Sequence, residues 1–294
     1  EYVTRVFTEH VLGEMDPDVA LIWFNEPDTS FHYKFLGSDE TLAIMQAVDA
    51  AFGRILAAIK ARSDGEDIAI IVASDHGQIS SSGVADIAGL LTREGHAAAR
   101  ASDRPINGAS ITVTGGNMGE IRMVDGDLAR RDSIARWLMQ RDEIGMVFTP
   151  SDDPVFGAVE GTFSLSLVGL DHARQPELVY VLRSSTEADA YGLPGLGLIT
   201  GGVPVGGGMH GGLNRHELNT LLVLGGAAQG GAAITTDAPA GIVDIAPTIL
   251  DLLGLSAPEG MKGASLINPE LRRLVPEQEA VSYTHLTLPT ICSV

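Results

Sequence analysis

Cysteine is almost absent: Cys292 is the only one in 294 residues. A single thiol allows no intrachain disulfide and no Cys-based zinc site. It leaves the compartment open, because exported and cytoplasmic bacterial proteins can both lack cysteine. Aromatic residues make up only 5%, against 35 Gly, which suits a loop-rich enzyme better than a helical bundle. Basic residues are scarce as well, with 19 Lys+Arg against 38 Asp+Glu and a net charge of −19. Such a surface repels nucleic-acid backbone and anionic membrane, so neither is an expected docking partner. Most of this acidity reads as a solvated surface; a minor share of the carboxylates can serve metal, because a bound cation reverses the local field. No apolar run approaches the ~20 residues of a membrane helix. The chain opens Glu1-Tyr2-Val3 with neither Met nor a basic-then-apolar leader, so any signal peptide would lie outside the residues shown.

What is present is ample apolar material, 45% of the chain, enough for one large α/β domain carrying an insertion. Val3, Phe7, Val11 and Met15 have helical spacing. Residues 19–24 (VALIWF) form a continuous apolar run, as a strand buried on both faces would, and Trp23 is expected in the core. Ser38-Asp39 offers an N-cap to a long helix marked by Met45, Val48, Phe52, Ile55 and Ile59. A second buried strand is expected at 68–73. The middle reads as a helix at 87–94, a strand at 119–124, a helix at 128–140 and strands at 145–149 and 176–182. Residues 192–208 are Gly-dense and expected to be a loop. A buried strand at 218–224 and a helix at 244–253, stopped by Gly254, close the pattern. The expected fold class is α/β, a doubly wound, mostly parallel sheet flanked by helices, with an inserted α+β segment. The expected division is a single domain over 1–280, with its core at 1–90 and 205–276 and the insertion at about 91–204.

Residues 281–294 (VSYTHLTLPTICSV) differ from the rest: Thr-rich, without Asp, Glu, Lys or Arg, and holding the sole Cys. This stretch resembles a translated sequencing-adaptor read-through, so His285 and Cys292 are set aside as non-native. With both ends open, the sequence is expected to be a fragment.

Three clusters carry the chemistry. The run Asn25-Glu26-Pro27-Asp28-Thr29-Ser30-Phe31-His32 follows the first apolar run. Ser74-Asp75-His76-Gly77 follows the second. Gly208-Met209-His210-Gly211-Gly212 ends the Gly-rich loop. In open sheets, ligands bind beyond the carboxyl ends of strands. Aspartate oxygen and neutral imidazole suit zinc, and manganese too, at a hydrolytic site. Asp28 and His32, four apart, can converge on one ion if the chain turns after Pro27. Asp75 and His76 can share another once the chain turns at Gly77. Singly, each cluster reads as an ordinary turn; in order, the three make a much stronger signal.

The order D-x-x-x-H, S-D-H-G, H-G-G resembles the metal-binding signature of the alkaline-phosphatase superfamily, nearest its nucleotide pyrophosphatase/phosphodiesterase branch. Residues 243–254 also resemble the family's closing helix, and 261–266 the turn after it. The resemblance implies that Asp28, His32 and His210 bind one zinc, and that Asp75 and His76 bind a second. It further implies a Thr or Ser nucleophile, and one more Asp, from segments preceding D-x-x-x-H. Nothing in residues 1–27 matches them; Thr4 and Thr8 lie on an amphipathic helix. The implied function is hydrolysis of small-molecule phosphodiesters or nucleotide pyrophosphates, with the fragment alone expected to be a poor catalyst.

A phosphonate hydrolase of the phosphonoacetate type shares this ligand order and is the nearest alternative. A non-catalytic, metal-stabilised binding module is the alternative of another class. A sulfatase would need its own nucleophile motif, and a phosphomutase a larger insertion. His172 and His216 read as loop hydrogen-bonders, His10 and His96 as helix-surface residues. Asn214 and Glu217 read as supports for His210.

Overall fold

The structure, a computed structural model, describes residues 1–101, 108–228 and 239–267. The 281–294 tail, with His285 and Cys292, lies outside the described residues. In chain order the helices are α1 (Tyr2–Val6), α2 (Asp28–Lys34), α3 (Asp39–Lys60), α4 (Ile87–Arg93), α5 (Leu128–Leu138), α6 (Arg215–Leu218) and α7 (Ile245–Leu252). The strands are β1 (Ala69–Ala73), β2 (Ile79–Val84), β3 (Ala98–Arg100), β4 (Ile111–Val113), β5 (Met118–Met123), β6 (Ile144–Thr149), β7 (Phe163–Ser164), β8 (Leu178–Leu182), β9 (Ser184–Ala188), β10 (Pro194–Ile199), β11 (Gly208–Met209) and β12 (Leu222–Gly226). Two compact units share them: Glu1–Asn25, Met45–Asp75 and Asn219–Val294 in the first, Glu26–Ile44 and His76–Leu218 in the second.

In the first unit, α1 runs on into a π-helical stretch, Phe7–Met15, which closes on Asp16 in the left-handed conformation. Phe7, Ile55 and Ile59 form its core, joined by partly buried Val11, Leu12, Ala20, Ile22, Phe24, Ile68 and Ile70. Of the periodic stripe on α3, Ile55 and Ile59 are buried and Val48 and Phe52 partly so, while Met45 stays 45% exposed. The same helix is, by length and composition only, apolar enough to cross a membrane, yet Asp49 and Arg54 interrupt it. At the end of the unit, α7 stops before Gly254 (φ +70°). Residues 261–266 are bound to α7 through Ser265 Oγ, which donates to Asp251 at 2.6 Å, and Leu266 N–H, which donates to Thr248 Oγ1 at 2.9 Å.

The second unit holds two sheets. The six-stranded one has the order β3-β4-β5-β8-β6-β7, with every residue of β8 buried at its centre. One face packs against Ile87 and Leu91 of α4 and Ile134 and Leu138 of α5. Both helices begin on side-chain caps: Asp86 accepts from Gly89 N–H, and Asp127 from Arg130 N–H. The opposite face buries Phe148, Leu165, Val179 and Val181, with Leu213 packed against them. The four-stranded sheet has the order β11-β2-β10-β9. Ser38 caps α3 as its sequence suggested, its Oγ accepting from Thr41 N–H at 3.3 Å.

Four expectations need correction. The apolar run 19–24 is in no strand; Ala20, Ile22 and Phe24 pack inward while Val19, Leu21 and Trp23 alternate outward. An extended segment alternates sides whether or not a ladder forms, so Trp23 is 60% exposed and not core. The Gly-dense 192–208 stretch contains β10, held because β2 and β9 satisfy its backbone from both edges. The 218–224 strand starts four residues later, at Leu222, and pairs antiparallel with β1. Finally, the sheets are mixed, not mostly parallel: only β2–β10, β3–β4 and β6–β7 run parallel among the described pairs. Apolar runs alone do not encode strand direction, which is set by how distant segments pair.

These positions predict a contrast. Leu138→Ala, at a fully buried site, should cost ~2–5 kcal/mol, and Trp23→Ala less than ~1 kcal/mol, in urea unfolding. A larger loss at Trp23 would restore it to the core.

Candidate metal centre

The second unit gathers residues from three distant stretches of chain. A cis Glu26–Pro27 peptide leads directly into α2, and Glu26 accepts from Ser30 N–H at 3.0 Å. Asp28 occupies the first turn of α2 and His32 lies four residues on, so a helix, not a simple turn, places both side chains on one face. Their Oδ2 and Nε2 atoms are 3.6 Å apart. The third stretch arrives through the sheet: β11 pairs antiparallel with β2, Gly208 opposite Ser80 and Met209 opposite Ile79. Continuing that register carries His210 to the level of Gln78, beside His76.

The result is compact. One ligand atom from each of Asp28, His32 and His210 lies within 4.8 Å of the other two. His210 Nε2 is 3.7 Å and His76 Nε2 3.9 Å from Asp28 Oδ1. The His76 and His210 rings stack at 3.6 Å, only 12° from parallel, and His32 lies 5.2 Å from His210. Exposure of the side chains runs from 16% for His32 to 43% for Asp28, so the cluster is open to solvent on one side. Asp75, the remaining expected ligand, follows β1 at the end of a segment of the first unit and is described with that unit.

Backbone bonds set the imidazoles. His32 Nδ1 lies 2.6 Å from Gly208 O, 176 residues away, and His76 Nδ1 lies 3.1 Å from Gly77 O. A carbonyl only accepts, so each Nδ1 carries the proton, and in the neutral ring Nε2 keeps its lone pair. For His32 that lone pair faces a carboxylate oxygen, two electron-rich atoms opposed at 3.6 Å. A cation between such atoms would turn repulsion into attraction. The Asp28 carboxylate and the imidazoles of His32 and His210, with the His32 tautomer fixed from behind, therefore fit zinc or manganese by donor type.

Two further residues escaped the sequence reading. Gln78 donates from Nε2 to Asp28 Oδ1 at 2.5 Å, which restrains that carboxylate; it stands immediately after Ser-Asp-His-Gly and could have been suspected for that reason. Asn117, in the middle segment just before β5, donates to Glu217 Oε1 and carried no local signal. Glu217 and Asn214 are both buried, and together they cap α6 reciprocally. Asn214 Oδ1 accepts from His216 N–H at 3.0 Å, while Glu217 accepts from Asn214 N–H at 3.1 Å. Burial holds the His216 imidazole below its usual range, with Arg215 adding to the effect. His172 is exposed and accepts from Arg174 N–H, and His10 pairs with Glu14 on a helix surface.

A carboxylate and two imidazoles, from α2 and from the turn after β11, lie at a spacing that could hold one ion. Residues 1–143, almost half of the chain, match the sequence model of the type I phosphodiesterase / nucleotide pyrophosphatase family. That stretch contains Asp28, His32, Asp75 and His76 and ends before His210. The match fits the alkaline-phosphatase-superfamily assignment suggested by the ordered motifs, and it supports phosphoester hydrolysis as the class of activity. Comparison with curated proteins gives no match.

Burial raises the Glu217 carboxyl to about 7, against the pull of N–H donors from Asn214, Gly212 and Asn117. The unfolded group titrates near 4.5. The stability it contributes is therefore complete below about pH 4.5, falls as pH rises to about 7, and is level above. Its full size is on the order of 3 kcal/mol. Urea unfolding across pH 4–8 should show that decline in the wild type and a smaller one in Glu217→Gln; parallel profiles would show that Glu217 titrates normally.

Proposed function

We propose that the protein is a metal-dependent phosphoric ester hydrolase acting on phosphodiesters or nucleotide pyrophosphates. The observation that carries this reading is the convergence of Asp28, His32 and His210, together with the family match over residues 1–143. Asp28, His32 and His210 would hold one zinc, and the adjacent pair Asp75-His76 is assigned to a second on the family resemblance; manganese is compatible with the same donors. When bound, such ions lower the pKa of a hydroxyl or water and neutralise charge on the transferring phosphoryl group.

The protein's own contribution is order. Asp28 supplies the carboxylate of the Asp28–His32–His210 group, and Gln78 limits its rotation. The Gly208 carbonyl keeps the His32 lone pair turned toward Asp28. The open side of the cluster leaves room for an anionic substrate that the acidic surface would otherwise repel, which makes the cation a requirement for binding as well as for chemistry. The resemblance puts the Thr or Ser nucleophile on a segment preceding D-x-x-x-H, and no residue of the present sequence is assigned that role. A doubly wound core, with its insertion at about 91–204, belongs to the same reading.

Zinc titration of the chain should reveal about one tight ion. His210→Ala should weaken it by more than the ~10–100-fold typical of second-sphere changes, and His172→Ala should leave it intact. In the intact protein, a chelator should abolish hydrolysis of an aryl phosphodiester and zinc should restore it. Equal losses for His210→Ala and His172→Ala would overturn the ligand assignment, and metal-dependent turnover confined to phosphonates would shift the reading to the phosphonoacetate hydrolase type.

A further inference from the structure

Among the described residues of the second unit, Glu217 is the most deeply buried carboxylate, 2% exposed, and it is absent from the proposed ligand set. Its role in capping α6 explains only part of its setting. A capping-box glutamate needs to reach one backbone N–H and does so equally well at a surface. Here the carboxylate also accepts from the Asn117 side chain, and the Gly212 backbone is packed against it. The same residue's backbone carbonyl accepts from Gly77 N–H at 2.7 Å. Gly212 lies two residues after His210, and Gly77 lies one after His76. One buried residue is thus bonded to Gly77 behind His76 and, through Asn214 N–H, to the segment that follows His210.

The two glycines of His-Gly-Gly follow from this contact. Gly211 has φ +97°, which an L side chain rarely adopts. A Cβ on Gly212 would fall 2.7 Å from Glu217 Oε2 and 3.0 Å from Asn117 Nδ2. Only a bare backbone lets the 210–212 turn settle on this carboxylate. Asn117 is 4% exposed, and it belongs to the middle segment, ahead of β5. The turn that bears His210 is therefore fixed from a part of the chain without ligands of its own.

We propose that Glu217, seconded by Asn117, is a positioning residue that holds the His76–Gly77 and His210–Gly212 turns in one arrangement, so that the metal centre is formed before the ion arrives. This rests on the metal-hydrolase reading above. Without the carboxylate, the Asn214 N–H and the Asn117 amide would need new partners, Gly212 would lose the group it packs against, and the turn would relax away from His32 and Asp28. Glu217→Gln keeps an acceptor for the backbone groups, and rotation of the Asn117 amide restores its bond by presenting oxygen to the new NH₂ group.

The test is cobalt(II) and zinc titration of the chain, with the visible spectrum of bound cobalt as a probe of ligand geometry and thermal unfolding measured alongside. Glu217→Ala should weaken either ion ~10–100-fold and alter the cobalt spectrum. Glu217→Gln should bind within a few-fold of wild type with the wild-type spectrum. Leu138→Ala, remote and destabilised, should bind metal as wild type does while folded. If Glu217→Ala fails to fold, Asn117→Ala, which deletes one donor, should show the same loss in smaller measure. Wild-type affinity and spectrum in the folded Glu217→Ala protein, or in Asn117→Ala where Glu217→Ala does not fold, would overturn the positioning role and leave the metal centre standing. Absence of any tight ion in the wild type would overturn the metal-hydrolase reading and this inference with it.

Discussion

The antiparallel pairing of β11 with β2 is the constraint on which the candidate centre depends. It is only two residues long on the β11 side, yet it joins positions more than a hundred residues apart in one register. A shift of one residue would turn His210 to the opposite face of the sheet, away from His76 and Asp28. So short a ladder cannot secure its own register. The added restraint comes from the Gly208 carbonyl, bonded to His32, and from the Glu217 bonds on the far side of His210. Register, imidazole tautomer and turn conformation are thus fixed by one connected set of hydrogen bonds.

That set explains why a polar network is tolerated inside the unit. Asn117, Asn214 and Glu217 are all buried, where an unbonded polar group costs ~1–3 kcal/mol. The bonds of Asn117 and Asn214 to Glu217 offset part of that penalty, although the Asn117 Oδ1 atom has no partner, and Leu213, beside Asn214 in sequence, packs on an apolar face of the six-stranded sheet. The turn carrying His210 is therefore anchored by apolar contact on one side and by hydrogen bonds on the other. Directed bonds give it a single geometry, which a purely apolar contact would not.

Legibility from sequence varied with the range of the interaction involved. The α3 stripe, the caps at Ser38 and Gly254 and the β8 run were readable because helical periodicity, capping and continuous apolarity are local properties. The apolar run 19–24 was misread because strandedness requires a partner, and its composition is the same with or without one. The glycines of 194–199 masked β10 for the opposite reason: neighbours on both edges can hold a sequence of low strand propensity. In the site, Asp28, His32, His76 and His210 were named in advance from residue type and order. Asn117 could not be, since a lone asparagine in an irregular stretch has no pattern to betray it.

The sequence by itself determined which side chains are chemically able to hold a cation, and that Asp28 and His32, four residues apart, could share one. Acidity, the single cysteine and the ordered Asp/His clusters are facts of composition and spacing, independent of any partner strand. Only the tertiary structure decided that His210 meets them, that Gln78 restrains the carboxylate, and that Glu217 and Asn117 lie behind the ligand turn. These depend on long-range register and burial, and the energy of such contacts exists only once distant segments have been brought together.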